Sequence, residues 1–171
     1  MNTKTLLVLV FAGLFAVTAN AALTGVTING EPLNDAVGSS GAGWNYTPPT
    51  LTLSGAGPFM ISGTNTAGKV RVVVQAGGTK EVTLSNLTLK AMGDNLCAFA
   101  LGTGANVSLS LAGENTLDSG YGRAGLEVPA GASLSITNVP GDDAGALTAT
   151  GGDYGAGIGG GDEGNGGTVA I

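Results

Sequence analysis

Residues 101–109 read LGTGANVSL, and residues 128–136 read VPAGASLSI. In both segments a glycine-containing turn is followed by a strand in which apolar residues alternate with small polar ones. This alternation is typical of a half-buried β-strand, and from Leu51 onward no stretch has the apolar spacing of a helix. The same unit recurs at 75–84 and 159–171. The sequence therefore predicts an all-β chain made of one repeating unit.

The spacing of the repeat predicts a solenoid. When the second apolar residue of each strand is taken as a marker, the steps are 31, 25, 27 and 35 residues, between Leu53, Leu84, Leu109, Ile136 and Ile171. Periods of roughly 20 to 50 residues indicate solenoids. Two more short apolar runs lie between successive markers, and three strands per repeat are what a right-handed parallel β-helix requires, with coils about 4.8 Å apart. We therefore predict a β-helix repeat domain of about four coils over 50–171.

The residues before this domain form two further segments. Residues 1–21 have a polar start, an apolar run shorter than the roughly 20 residues that cross a bilayer, and the small residues Ala19 and Ala21. They predict a signal peptide cleaved near Ala21, and hence a secreted or cell-surface protein. Residues 22–49 are predicted to cap the solenoid, whose apolar end needs a cover. Because Ile171 falls inside a predicted strand, we expect the natural protein to continue beyond it.

Composition and charge exclude several functions. The chain has 171 residues, 32 glycines, no histidine and a net charge of −6. Without histidine, Ser-His-Asp and Cys-His catalysis and His-bearing zinc sites are excluded. Six Lys and Arg against twelve Asp and Glu, with no basic cluster, argue against nucleic acid and anionic membranes as partners. Cys97 has apolar neighbours, so it is predicted to be a buried, inert thiol.

The glycine-rich stretch 145–161 resembles the repeats of large secreted bacterial surface proteins of gut and rumen type. These read G-x-L-T-A-T-G-G followed by A-G-I-G-G-G, and here 145–152 is GALTATGG and 156–161 is AGIGGG. Residues 111–117, LAGENTL, look like another coil of that family, and the likeness runs from about Gly43 to Ile171. More distantly, the pattern is similar to non-catalytic polysaccharide-binding β-helix proteins of the pectate-lyase-like superfamily. The resemblance implies carbohydrate or cell-wall attachment, sometimes with calcium, and transfers no catalytic residue.

Exposed aromatic residues are the first candidates for a site. Aromatic rings stack on the CH faces of sugars, and planar polar groups beside them bind hydroxyls. The loops that combine these residue types predict a carbohydrate site at Tyr121, Arg123, Tyr154, Asp153, Glu114 and Asn115. Trp44 and Tyr46 are predicted to pack within the cap. The G-x-G-x-x-G match at 155–160 is not followed by a helix pattern, so no nucleotide site is predicted.

The acidic residues of the late turns are candidates for a calcium site. Calcium binds several carboxylate and carbonyl oxygens, and the late turns supply Asp142, Asp143, Asp162 and Glu163. Solvated carboxylates are the alternative interpretation of these residues.

A polysaccharide lyase needs a basic residue that abstracts a proton. The candidates after residue 21 form no compact set: Lys69, Arg71, Lys80, Lys90 and Arg123. We therefore assign no catalytic residue.

These observations predict an exported, non-catalytic bacterial surface or secreted module. We expect it to bind a polysaccharide or a host or plant glycan, or to act in adhesion. Two alternatives remain. One is a structural stalk without a ligand, and the other is a fragment of a calcium-assisted polysaccharide lyase.

Overall fold

The computed structural model describes residues 23–90, 92–141 and 144–171. The predicted signal peptide lies outside these ranges. Within them the chain forms strands and turns and no helix, so the predicted all-β class is confirmed. The strands are β1 (Leu23–Ile28), β2 (Glu31–Asn34), β3 (Ser39–Gly41), β4 (Trp44–Thr47), β5 (Thr50–Leu53), β6 (Phe59–Asn65), β7 (Arg71–Val74), β8 (Thr79–Leu89), β9 (Phe99–Leu101), β10 (Asn106–Ala112), β11 (Glu114–Asp118), β12 (Leu126–Glu127), β13 (Ser133–Asn138), β14 (Ala146–Thr150), β15 (Ile158–Gly159) and β16 (Thr168–Ala170).

The strands form two mixed sheets. The nine-stranded sheet has the order β16-β13-β10-β8-β6-β1-β2, and β11 and β14 extend from β8 beside this path. The seven-stranded sheet has the order β15-β12-β9-β7-β5-β4-β3. Among β5–β16 all pairings between strands are parallel. Along this part of the chain, each strand lies in the other sheet from the one before it, except in the consecutive pairs β10–β11 and β13–β14, which lie in the nine-stranded sheet.

The parallel strands align apolar residues in rows. Val82, Leu109 and Ile136 lie side by side in β8, β10 and β13, each 27 residues after the previous one. In the other sheet, Phe99 and Leu126 of β9 and β12 are paired in the same way, also 27 residues apart. All of these side chains are buried. Burial of the alternate residues on one face fixes the pairing, because a slip of one residue would turn the apolar set toward water.

Two of the five predicted markers were wrong. Leu84 pairs with Leu111 rather than with Leu109. Leu53 lies in the seven-stranded sheet beside Val74, so it belongs to a different row. The error has a physical cause: a strand with apolar residues at i and i+2 keeps the same buried face when its register slips by two residues. The alternation of the sequence alone therefore leaves the register undetermined.

Strand β8 joins two pairings that the sequence predicted as separate strands. Its first half pairs with β10 and its second half with β11. The change of partner occurs at Asn86, whose φ is +50°, a left-handed conformation that asparagine tolerates better than most residues. The nearby Gly113 has a φ of +59°, and a Cβ atom there would also lie 2.2 Å from Asn86 Oδ1, so a larger residue at 113 would strain the bend.

The segment before residue 50 lies at one end of both sheets. Strand β1 pairs antiparallel with β6, and β4 pairs antiparallel with β5, so this segment supplies the antiparallel part of each sheet. Trp44 and Tyr46 are buried in β4, as predicted. The Tyr46 hydroxyl donates a hydrogen bond to the carbonyl of Lys69 at 2.6 Å.

Burial falls toward the other end. Strand β13 still alternates exposed and buried residues over its first four positions, whereas β14 has no buried residue and β16 is exposed throughout. Among the described residues, no helix has the length and apolar character needed to cross a membrane.

Candidate functional site

The β-turn geometry found at 102–105 and 129–132 recurs in four further turns, and backbone hydrogen bonds join these four side by side. Each is closed by a hydrogen bond of 2.9–3.2 Å from its fourth N–H to its first carbonyl, in the segments 93–96, 120–123, 152–155 and 161–164. The third residue of each turn has a positive φ, as type II turns require, and these residues are Asn95, Gly122, Tyr154 and Glu163. Each turn begins with glycine.

The first three turns stack directly on one another. Asn95 N–H donates to the carbonyl of Tyr121, and Gly122 N–H donates to the carbonyl of Asp153, both at 3.0 Å. The stack is so close that a Cβ on Gly120 would lie 2.0 Å from the carbonyl oxygen of Gly93. The fourth turn joins through Asp162 N–H, which donates to the carbonyl of Gly122 at 2.9 Å. We call these four turns and their side chains the stacked-turn site.

Two tyrosine rings dominate the surface of this site. The rings of Tyr121 and Tyr154 meet edge to face, with centroids 5.7 Å apart and an interplanar angle of 78°. This is a favourable arrangement for aromatic pairs. The two residues are nevertheless 47% and 74% exposed. The structure thus brings together two tyrosines that are 33 positions apart and places Asp153 in the same turn as Tyr154.

Arg123 is held from two sides. Its Nε donates to the carbonyl of Asn95 at 3.0 Å, and its Nη1 forms an ion pair with Glu127 Oε1 at 3.0 Å. The Arg123 side chain is 38% exposed, and that of Glu127 is 14% exposed. Glu127 Oε2 is buried and has no hydrogen-bond partner among the described residues. The guanidinium therefore has a fixed position at the end of the turn that contains Tyr121, and its charge is paired with Glu127.

Glu114 and Asn115, which were predicted to belong to this site, lie elsewhere. They begin β11, and the chain reaches Tyr121 only after β11 has ended at Asp118. At about 3.3 Å per residue, Glu114 lies about 13 Å from Asp118 alone. Glu114 is exposed there and pairs with Ala146 of β14. The prediction grouped these residues because sequence proximity does not show at which end of a strand a side chain lies.

Asn115 has a structural role at that position. It is 2% exposed. Its Oδ1 accepts the N–H of Leu87 at 2.9 Å, and its Nδ2 lies 3.1–3.2 Å from three carbonyl oxygens, those of Ala112, Gly113 and Ala146. Because its amide is used by the backbone of three neighbouring strands, we leave it out of the ligand-binding site.

The candidate calcium ligands are only partly described. Asp142 and Asp143 lie outside the described residues. Asp162 and Glu163 are exposed in the fourth turn. Within 23–90, 92–141 and 144–171, no three Cys, Asp or Glu residues are placed so that they could hold a metal ion. Calcium binding stays a prediction.

The basic candidates lie apart from one another in separate contacts. Lys69 forms an ion pair with Asp35 at 2.6 Å, and Arg71 Nε donates to the carbonyl of Cys97 at 3.3 Å. Lys80 is buried, on the inner face of β8, and its Nζ donates to the carbonyl of Gly77. Lys90 is exposed.

Cys97 lies in the interior next to the stacked-turn site. Its sulfur lies 2.9 Å from the carbonyl oxygens of Phe99 and Ala124, which share its single proton. Burial raises the pKa of the thiol above its ordinary value, although a hydrogen bond from Ser119 opposes this shift. A protonated thiol enclosed in this way is a poor nucleophile.

A concave surface of about 720 Å³ lies at the other end of the molecule, among β1, β2, β3 and Trp44. Its one aromatic side chain, Trp44, is 6% exposed. It therefore lacks the exposed rings that distinguish the stacked-turn site.

Sequence reasoning missed Asp94, Asn95 and Glu127. The signal for the first two was present, because glycine precedes Asp94, Tyr121, Asp153 and Asp162 in the four turns. Aligning these glycines would have placed Asn95 opposite Gly122 and Tyr154. Glu127 gives no such signal, since its role depends on the position of the Arg123 side chain.

In comparisons with protein families, curated proteins and solved structures, nothing matches this chain.

Proposed function

We propose that this chain is an exported, non-catalytic surface or secreted module that binds carbohydrate through the stacked-turn site. The proposal includes the finer architecture, a right-handed parallel β-helix, and kinship with the secreted surface proteins that carry AGIGGG repeats. The parallel rows with a 27-residue step support a coiled path of this kind. Export rests on the signal-peptide pattern of residues 1–21.

The exposed tyrosine pair carries the proposal. Aromatic side chains are usually found in a protein core or an interface, because removing about 150–250 Å² of mostly apolar surface from water is favourable. Here two rings from stacked turns are left in solvent, and Arg123 belongs to the same turn as Tyr121. Rings of this kind supply flat apolar surfaces for pyranose CH groups, while Arg123 and the turn carboxylates supply hydrogen bonds to hydroxyls.

The charges of the site favour a neutral glycan over a polyuronate. Asp94, Asp153, Asp162 and Glu163 lie in the four turns and are all exposed. The single cation among these turns, Arg123, is already paired with Glu127. A polymer with a carboxylate on each sugar would meet several like charges and one compensated cation, so its binding is disfavoured by Coulomb repulsion.

The test is binding of the protein to a panel of plant and host glycans, with Tyr121→Ala and Tyr154→Ala as variants. Loss of one stacking ring should weaken binding about tenfold, which corresponds to about 1.4 kcal/mol. Met60→Ala is the matched control, because Met60 is 49% exposed on β6 and remote in the fold from the four turns. It should bind like the parent protein.

Other outcomes would favour the alternatives. Folded protein that binds no glycan in the panel would point to a stalk without a ligand. Release of unsaturated uronides from a polyuronate, in the presence of calcium, would identify a lyase and overturn the non-catalytic assignment. Binding that is unchanged in both tyrosine variants would place the glycan site elsewhere.

A further inference from the structure

The concave surface among β1, β2, β3 and Trp44 has a polar lining. We call it the end hollow, and its polar side chains are Asn29, Glu31, Asn34, Ser39, Ser40 and Trp44. Strand β2 is the last strand of the nine-stranded sheet and β3 is the last of the seven-stranded sheet, and residues of both line the hollow. Its volume of about 720 Å³ is that of a small-molecule site.

Trp44 supplies the end hollow with an unused hydrogen-bond donor, although its side chain is only 6% exposed. Within the described ranges, Glu127 Oε2 is the one fully buried side-chain N or O atom without a partner. The indole N–H of Trp44 donates to no described residue either, so it must be open to solvent. Gly41 pairs with Trp44 and also lines the hollow, and a Cβ on Gly41 would overlap the indole Nε1. The lack of a side chain at 41 therefore leaves the indole N–H facing the hollow.

Two asparagines add further donors. Asn29 Oδ1 accepts the N–H of Met60 at 2.7 Å. Asn34 Oδ1 accepts the N–H groups of Ala36 and Val37 at 2.9 and 3.2 Å. In both residues the oxygen is thus used by the backbone, and Nδ2 donates to no described residue. The end hollow therefore offers N–H donors from three side chains.

Ser39 fixes the shape of the end hollow by joining its two edge strands. Its Oγ accepts the N–H of Asn34 at 3.0 Å and lies 3.5 Å from the carbonyl oxygen of Pro32. The N–H of Gly38 donates to the carbonyl of Asn34 at 3.0 Å. A site that is held in place before binding loses less conformational entropy when a ligand arrives.

Glu31 is the one charged residue among the described residues that line the end hollow. It is exposed in β2, and the two ion pairs of the described ranges, Lys69–Asp35 and Arg123–Glu127, do not include it. Its carboxylate is therefore available to a cation. The net charge of −6 adds a long-range attraction for cations.

We propose that the end hollow binds a small ligand that carries one ammonium group and several neutral oxygen atoms, as an amino sugar does. The ammonium pairs with Glu31, and the oxygens accept hydrogen bonds from the indole and amide N–H groups. An amino acid fits less well, because its carboxylate is repelled by Glu31 and by the net charge of the chain. The end hollow is separate from the stacked-turn site and uses neither of its tyrosines.

Fluorescence titration with glucosamine tests the proposal. Trp44 is the only tryptophan of the chain, so its emission reports on the end hollow and not on the stacked-turn site. Glucosamine should change this emission saturably. Glucose, which has a hydroxyl in place of the ammonium, should bind about fivefold more weakly, as expected for the loss of an exposed ion pair.

Two variants identify the groups that bind. Glu31→Gln should weaken glucosamine binding about fivefold and leave the fold unchanged, because Glu31 is exposed. Glu114→Gln is the matched control: it makes the same change of charge at an exposed position in β11, and it should bind like the parent. Trp44→Phe keeps an aromatic ring without the N–H, and calorimetry should show binding about fivefold weaker than that of the parent.

Several results would overturn the proposal. One is the absence of a saturable response to glucosamine in both fluorescence and calorimetry. Another is binding of glucose or of the amino acid glycine that is as tight as that of glucosamine, because the hollow would then not select an ammonium with neutral oxygens. An equal loss in Glu31→Gln and Glu114→Gln would also overturn it. Tyr121→Ala should leave this titration unchanged, so the end hollow and the stacked-turn site can fail independently.

Discussion

The side-chain oxygen of Asn115 accepts the backbone N–H of Leu87 at 2.9 Å, although the two residues are 28 positions apart. Leu87 lies in β8 just after the bend at Asn86, where the strand changes its partner. Asn115 Oδ1 thus serves as the acceptor that the Leu87 N–H would otherwise lack. Its Nδ2 lies within hydrogen-bond distance of the carbonyl oxygens of Ala112, Gly113 and Ala146.

We expect Asn115→Ala to lower the free energy of unfolding by about 2 kcal/mol, because it leaves a buried N–H without an acceptor. Urea denaturation measures the change. Asn106→Ala is the matched control. Asn106 is exposed and its Nδ2 lies 3.3 Å from Thr79 Oγ1, so its effect should stay within about 0.5 kcal/mol. Equal effects of the two substitutions would contradict the role given to Asn115.

The stacked glycines allow a comparison at equivalent positions. Gly93 and Gly120 both begin a turn of the stacked-turn site. A Cβ on Gly120 would meet the Gly93 carbonyl oxygen at 2.0 Å, whereas a Cβ on Gly93 would have its closest contact at 3.7 Å, with Leu96 Cδ1. We expect Gly120→Ala to cost about 2 kcal/mol or more, because the turn at 93–96 must move away. Gly93→Ala should leave the stability measured by thermal unfolding almost unchanged. A similar loss of stability in both variants would show that the turns do not stack.

Tyr46 predicts a dependence of stability on alkaline pH. Burial, with a smaller contribution from the charge of Asp35, raises the pKa of the Tyr46 phenol from 10.0 to about 12. The folded state therefore holds this proton more tightly than the unfolded state does. The resulting stabilisation is fully present below pH 10 and is lost as the pH rises through about 12.

Urea midpoints measured between pH 9 and pH 12 test this expectation. Tyr46→Phe should be less stable than the parent at pH 9, because it loses the hydrogen bond to Lys69, and its midpoint should fall less steeply above pH 10. Met60→Ala should keep the parent slope, because it removes an exposed side chain that does not titrate. Identical slopes in the parent and Tyr46→Phe would show that this phenol is not the group responsible.

Cys97 should be unreactive in the folded protein. Its side chain is fully buried, and burial raises the pKa of its thiol, so both access and the thiolate fraction are low at neutral pH. A chromogenic disulfide reagent should label it only after urea is added. A thiol introduced by Val37→Cys provides the comparison, because that position is 81% exposed and should react at once. Rapid labelling of Cys97 without denaturant would contradict the buried position.

The sequence was sufficient to predict the local structure. Alternating apolar residues and glycine-containing turns identified strands at residues such as Leu109, Leu126 and Ile136, because the two-residue period of a strand is a local property of the chain. The burial of Trp44, Tyr46 and Cys97 was also predicted correctly, since apolar neighbours on an alternating pattern indicate an inner face.

The tertiary structure alone decided the register and the site. Leu84 and Leu109 are both apolar markers, yet they belong to different rows, because a slip of two residues changes no side chain's face. The meeting of Tyr121 with Tyr154, and the separation of both from Glu114, follow from which turns stack once the register is chosen. Contacts between distant residues depend on the packing of whole strands, and no short stretch of sequence contains that information.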